Sequence, residues 1–275
     1  MIKKKVRLLN YLSHLFSGMV AAYVVRRWFS TRRCRDFSAK LDNLKKNSQS
    51  LSISLSTSGM PIYQWRGKGS SRILCVHGWS GWGGQFADFA RIAQKQGCTV
   101  FAYDGPGHGR NQRNSSDLIQ LRDALLNIVE TEQRFDAIVC HSYGLVVVLA
   151  AMAAGMRVDR IVSIAAPYRL YPYVEYYFRS VGYSERVQQL FKARVEQQFG
   201  KGWWTEHSPD QRVSQVQVPS LLIHDQLDRI VPSGDARLLH QYWVGSQLHV
   251  TKGLGHFRIL ADDDTNKVIL RFIKG

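Results

Sequence analysis

The chain has 275 residues, 45% of them hydrophobic, and a formal net charge of +16. That length and apolar content can bury a full core, as one large domain or two small ones, and the absence of any internal repeat or long low-complexity segment excludes a repeat architecture. The four cysteines (Cys34, Cys75, Cys98 and Cys140) have neither metal-ligand spacing nor a paired framework, which argues against a zinc module or a disulfide scaffold and favours a reducing compartment.

The charge is unevenly placed. Residues 1 to 46 hold twelve Lys and Arg against Asp36 and Asp42, a net +10, which leaves +6 for the other 229 residues. A basic N-terminal arm points to an anionic surface such as lipid headgroups. Nucleic acid is not expected, because the arm's aromatics lie in an apolar stripe and do not alternate with its basic residues. The expected location is the cytoplasm, with peripheral contact on the inner face of the membrane.

Residues 8 to 25 carry no formal charge, and Leu8, Leu9, Tyr11, Leu12, Leu15, Phe16, Met19, Val20 and Tyr23 share one broad helical face opposite Asn10, Ser13, His14 and Ser17. The run is marginal for a spanning helix, and its polar stripe argues against lipid on all sides. No small-residue cleavage site precedes Arg26-Arg27, as a signal peptide would require. The pattern therefore predicts an amphipathic helix, lying on a membrane surface or packed on its own domain. Residues 36 to 50 are polar and read as a linker, so residues 1–50 form an arm ahead of a domain spanning 51–275.

Leu51 to Ser56 alternates apolar and polar strictly, and Pro61 to Arg66 does so more loosely; the two predict a β-hairpin with one solvated face. The rhythm then changes to continuous apolar runs at 72–76, 99–103, 136–140, 160–165, 219–224 and 247–251, separated by helical patterns at about 85–96, 116–131, 143–155 and 234–243, with a last helix at about 263–274. Strands buried on both faces that alternate with helices predict an α/β fold on an eight-stranded, mostly parallel sheet. One insertion, about 168–218, interrupts the alternation and is crowded with aromatics from Tyr168 to Trp204. It predicts a helical cap over the carboxyl ends of the strands, with a small core of its own and an apolar wall for the site.

The chain is organised around Cys140-His141-Ser142-Tyr143-Gly144, where a strand turns directly into an apolar helix. Such a turn needs small neighbours two positions either side of its central residue and raises a serine oxygen above the sheet. Gly144 meets that need; Cys140 stands where glycine is usual. A serine is a poor nucleophile without a base and an orienting acid. Both appear at the ends of the last two strands, Asp228 before Ile230-Val231-Pro232 and His256 after Gly255, in the order Ser, Asp, His.

With His77-Gly78-Trp79 and the loop Asp104-Gly105-Pro106-Gly107-His108-Gly109, these residues make the sequence from about 51 onward resemble the α/β-hydrolase family. The resemblance implies Ser142 as nucleophile, His256 as general base and then acid, Asp228 as the orienting carboxylate, and backbone N–H groups of Tyr143 and Trp79 as the oxyanion hole. Asp225 is a rival acid; Asp228 is preferred because it stands in the loop directly before Val231-Pro232. His77 is expected to support the oxyanion loop, His108 to be structural, and His141 to pack behind the elbow or line the pocket. The implied function is hydrolysis of an ester or thioester with an apolar part, a small or lipid-like substrate, without cofactor or metal. Acyl transfer and perhydrolysis use the same triad, and a non-catalytic, membrane-associated binding protein of this fold is the reading from a different class.

Overall fold

The computed structural model describes residues 2–31, 37–47, 51–56, 59–111, 113–132 and 134–275. Cys34 and the arm residues Arg32, Arg33 and Arg35 lie outside them. In chain order the elements are α1 (Ile2–Leu15), α2 (Ser17–Trp28), α3 (Phe37–Asn47), β1 (Leu51–Leu55), β2 (Pro61–Trp65), β3 (Arg72–Val76), α4 (Ala87–Lys95), β4 (Thr99–Tyr103), α5 (Leu118–Glu132), β5 (Ala137–His141), α6 (Gly144–Ala153), β6 (Arg160–Ile164), α7 (Tyr171–Val181), α8 (Glu185–Phe199), α9 (Trp203–Glu206), α10 (Pro209–Arg212), β7 (Ser220–Asp225), α11 (Gly234–Tyr242), β8 (Ser246–Thr251), α12 (Gly255–Arg258) and α13 (Asp263–Lys274).

The eight strands form one sheet in the order β1-β2-β4-β3-β5-β6-β7-β8. The hairpin strands β1 and β2 pair antiparallel, β2 meets β4 antiparallel, and every pairing from β4 to β8 is parallel. Alternation along β5 feeds two separate cores. Ile138 and Cys140 join the layer that includes α5 and α6, whereas Ala137 and Val139 join the layer that includes α4 and α13. That is why the strand reads as an unbroken apolar run. The last helix buries Ile269, Leu270 and Ile273, and Asp262 caps its start by accepting from the Thr265 N–H at 2.8 Å.

The arm departs from its predicted form in two ways. The single amphipathic helix is two, broken at Phe16, whose φ and ψ of −132° and 54° are not helical. The polar stretch read as a linker contains α3, whose Leu44 is buried against the core on the α4 side. Leu41 and Leu44, three apart, share one face of α3; with the surrounding Lys, Asn and Asp solvated, average polarity hides the pattern.

The arm packs on the domain. Val20, Val24 and Val25 of α2 enter the core that also holds Phe178 and Phe191 of the insertion. The Trp28 ring stands edge-on to Tyr177 and Phe191, with centroids 5.1 and 5.5 Å away. Beyond α2 the Ser116 N–H donates to the Phe29 carbonyl at 3.0 Å, which stitches the arm to the loop before α5. The insertion, α7 to α10, builds its own aromatic core from Phe178, Phe191, Phe199, Trp203 and Trp204.

A buried carboxylate ties the sheet to the loops above it. Asp104, at the end of β4, accepts from the Tyr63 hydroxyl (2.8 Å), the Gly83 N–H (2.8 Å) and the Arg110 N–H (2.7 Å). Gly109 is required beside it, since a Cβ there would come within 2.2 Å of the Asp104 carboxyl carbon. Asp104→Ala leaves two buried donors and one part-buried donor without an acceptor, so urea unfolding should show a loss of about 3 kcal/mol or more. A loss below about 1 kcal/mol would mean that water replaces the carboxylate.

Candidate active site

The turn at Ser142 is strained. Its φ of 54° lies in the left-handed region, and the other described non-glycine residues with positive φ, Ser80 and Ala165, also sit just past carboxyl ends of strands. Two glycines make the turn sterically feasible. A Cβ on Gly144 would lie 2.6 Å from the Val76 carbonyl oxygen, and one on Gly78 would lie 3.0 Å from the Ser142 Cβ. The third position tolerates a side chain. Cys140 is fully buried in β5 and turns its Sγ toward the Val162 carbonyl of β6 at 3.4 Å, clear of the turn. Burial pushes its thiol up to about 12, so it stays protonated and inert.

The structure joins His256 to Asp228, and Asp225 bonds elsewhere. Asp228 Oδ2 lies 2.7 Å from His256 Nδ1, while Oδ1 accepts the Ile230 and Val231 N–H groups at 2.8 and 3.0 Å. Burial works against its charge. Hydrogen bonds from the His224 and His256 rings and the two backbone donors outweigh that and hold the carboxyl well below its ordinary range. With Nδ1 engaged by Asp228, Nε2 is the His256 nitrogen free for proton transfer in the cleft that His256 and Ser142 both line.

That cleft has a volume of about 950 Å³. Its apolar lining comes from Leu44, Trp79, Trp82, Ile230, Phe257 and Leu260. No described residue of the insertion lines it, so the aromatics expected to wall the site serve the insertion's own core and its seat on α2. The wall is supplied instead by α3, through Lys40, Asn43 and Leu44, and by the segment from Gly78 to Arg91.

The family model described as "Alpha/beta hydrolase family" matches residues 73–268. The chain belongs to the alpha/beta hydrolase family. A search of the curated proteins finds no match to this alpha/beta hydrolase. Among solved structures it is similar to an esterase from Exiguobacterium antarcticum (14% identity, 82% of this chain and 99% of that one, TM-score 0.62). It is similar also to a bromoperoxidase from Bacillus anthracis (16%, 82% and 100%, 0.61) and to a meta-cleavage product hydrolase from Pseudomonas fluorescens IP01 (20%, 82% and 98%, 0.60). At these identities the likeness is one of fold.

His77 and His108 of this alpha/beta hydrolase support loops beside the site. His77 donates from Nδ1 to the Gly78 carbonyl (2.8 Å) and accepts the Gly105 N–H at Nε2 (3.0 Å), which locks the two glycine loops together. Burial lowers it to about 4 and keeps it neutral. His108 donates to the Pro106 carbonyl (2.8 Å) and meets the edge of Trp79 at 5.3 Å. Trp79 in turn stands edge-on to Tyr143 at 5.7 Å, so the two residues expected to form the oxyanion hole are in contact. His141 donates from Nε2 to the His256 carbonyl at 2.9 Å and lines the cleft; burial, lowering it to about 3, suits it to that role and not to a base. Gln85, Leu44 and Phe257 belong to the cleft and carried no signal of their own, because nothing in a motif marks a residue that only walls a site.

Asp225 has a different task. Its carboxylate accepts from the Leu227, Gly253 and Leu254 N–H groups and the Thr251 hydroxyl, at 2.8 to 3.2 Å, and so fastens the ends of β7 and β8 just before His256. Burial opposes the charge, hydrogen bonds from backbone N–H groups and from the Thr251 hydroxyl outweigh it, and the carboxyl falls to about 2. A folded pKa below the unfolded one stabilises above the unfolded value, near pH 4, and that stability is lost as pH falls toward 2. Asp225→Asn should therefore cost about 2 kcal/mol at neutral pH and progressively less below pH 4, measured by urea unfolding across that range. A cost that does not change with pH would show that the carboxylate's charge is unimportant.

Proposed function

We propose that the protein is a serine hydrolase of carboxylic esters or thioesters that carry an apolar group. The observation that carries this reading is the 2.7 Å bond from His256 Nδ1 to a buried, ionised Asp228, beside a serine in a strained strand-to-helix turn. Asp228 holds the imidazole in the tautomer whose Nε2 can accept a proton. Ser142 Oγ attacks the carbonyl carbon as that proton passes to Nε2, and the backbone N–H groups of Tyr143 and Trp79 receive the oxyanion. His256 returns the proton to the leaving alcohol or thiol. It then takes a proton from the water that attacks the acyl-enzyme and gives that proton to Ser142 Oγ as the acyl–oxygen bond breaks and the acid departs.

The substrate class follows from the cleft. Trp79, Trp82, Ile230, Phe257 and Leu260 offer an apolar lining beside Ser142, which favours an acyl or alcohol portion without charge. The buried ionised acid, the neutral supporting histidines and the glycine contacts at the elbow favour turnover over passive binding, since a binding site needs none of them.

The test is hydrolysis of p-nitrophenyl esters of increasing chain length, with fluorophosphonate labelling beside it. Ser142→Ala should remove labelling and lower kcat by about 10³-fold or more, and Asp228→Asn should lower kcat by a similar order while leaving KM close to wild type. If the wild type neither hydrolyses any ester nor takes the label, the hydrolase reading fails and the fold serves binding.

A further inference from the structure

Helix α1 turns two uncharged polar residues, Asn10 and Ser13, inward. Asn10 Nδ2 donates to the Gly182 carbonyl at 3.0 Å, and its Oδ1 accepts the Ser184 N–H at 2.9 Å, so one side chain caps the junction of α7 and α8. Arg186 of α8 donates to the Ser13 carbonyl at 3.0 Å, and Ser13 is fully buried. The helix is therefore anchored to the insertion by polar bonds, with Val6 buried and Leu9 and Leu12 partly so.

The opposite face is apolar and meets solvent. Leu8, Tyr11 and Leu15 follow the 3- and 4-residue spacing of one helical stripe and are 55%, 66% and 61% exposed. Phe16 at the break between α1 and α2 is 53% exposed, and Met19 just beyond it is 73% exposed. Elsewhere among the described residues exposed large apolar side chains are more scattered, whereas here five fall within twelve positions. Lys3, Lys4, Lys5 and Arg7, all exposed, occupy the first two turns of the same helix, with Lys4 and Arg7 on its outward side. An exposed apolar stripe is costly in water, and the polar anchors on the inward side show that the orientation is specified by side-chain bonds.

We propose that this outward face is a docking site for an anionic phospholipid surface, with α1 lying in the plane of the interface and Leu8, Tyr11, Leu15, Phe16 and Met19 entering the headgroup and upper acyl region. Three observations select that occupant. The arm's net +10 complements anionic headgroups and opposes a second copy of itself. Apolar residues at the centre with cations at one end match the two-part chemistry of an interfacial helix. No helix among the described residues is long and apolar enough to cross a membrane, and the 14 residues of α1 would span about 21 Å, short of a hydrocarbon core, so the helix lies on the surface. The proposal stands apart from the hydrolase reading, because neither the cleft nor the Asp228–His256 pair enters it.

The experiment is flotation of the full chain with phosphatidylcholine vesicles that contain about 30% phosphatidylglycerol, and with pure phosphatidylcholine vesicles. The wild type should float with the anionic vesicles and bind the neutral ones at least about ten-fold more weakly. Leu8→Ser/Tyr11→Ser/Leu15→Ser/Met19→Ser should reduce anionic-vesicle binding by about ten-fold or more, and Lys3→Gln/Lys4→Gln/Arg7→Gln should weaken the binding and lower its dependence on salt. Both variants change only exposed side chains, so their thermal unfolding should match the wild type. The proposal is overturned if the apolar variant floats as well as the wild type. It is overturned equally if the wild type stays with neither vesicle and light scattering finds it as a dimer that the apolar variant abolishes, which would assign the face to a second copy.

Discussion

A serine oxygen can stand above the carboxyl edge of a parallel sheet only if the chain reverses within two residues, and most of what is distinctive in this structure accommodates that reversal. Ser142 bears a φ of 54°, Gly144 lets α6 pass within van der Waals contact of β3, and Gly78 lets the neighbouring loop close against the turn. Cys140 shows what the constraint does and does not demand. The space beside the turn must be clear, but a small side chain that points across the sheet to β6 leaves it clear. The usual glycine is one solution to a steric condition, and a buried thiol is another.

The sheet was legible from the sequence because its signal is redundant. The central parallel strands are buried on two faces and so appear as apolar runs, and β3, β5 and β7 are followed closely by small, acidic or histidine residues because they end above the sheet; β8, at the edge, is only partly buried and reads less clearly. The choice between Asp225 and Asp228 was harder, since one ends β7 and the other stands three positions on in the loop that follows. In the structure Asp225 is consumed by four donors from its own and the next strand end, and the acid that remains for His256 is the one farther along the loop.

What could not be read was which surface each helix meets. Periodicity groups residues onto a face and is silent about which face turns inward. For α1 the polar residues Asn10 and Ser13 proved to face inward, because Asn10 bonds the backbone at the α7–α8 junction and the Ser13 carbonyl accepts from Arg186 of α8. The same limit explains the cleft: the aromatics of the insertion are abundant enough for a wall, yet Trp28 of α2 arrives to complete their own core. For α3 the difficulty was dilution, two leucines among lysines and asparagines, and the consequence was to miss the helix that closes one side of the cleft.

The placement of the triad candidates along the chain also bears on how the protein comes into being. Ser142 and its elbow belong to the middle of the sheet, whereas Asp228 and His256 belong to the last two strands, with the His256 loop held by bonds across the β7–β8 boundary. Ribosomal synthesis runs from the N-terminus, so a growing chain displays the serine well before the histidine has been made. Throughout that interval the hydroxyl has no proton acceptor and is chemically quiet. On the roles proposed for Ser142 and His256, the base arrives only after the final strand, and completion of the sheet and the onset of reactivity become a single event.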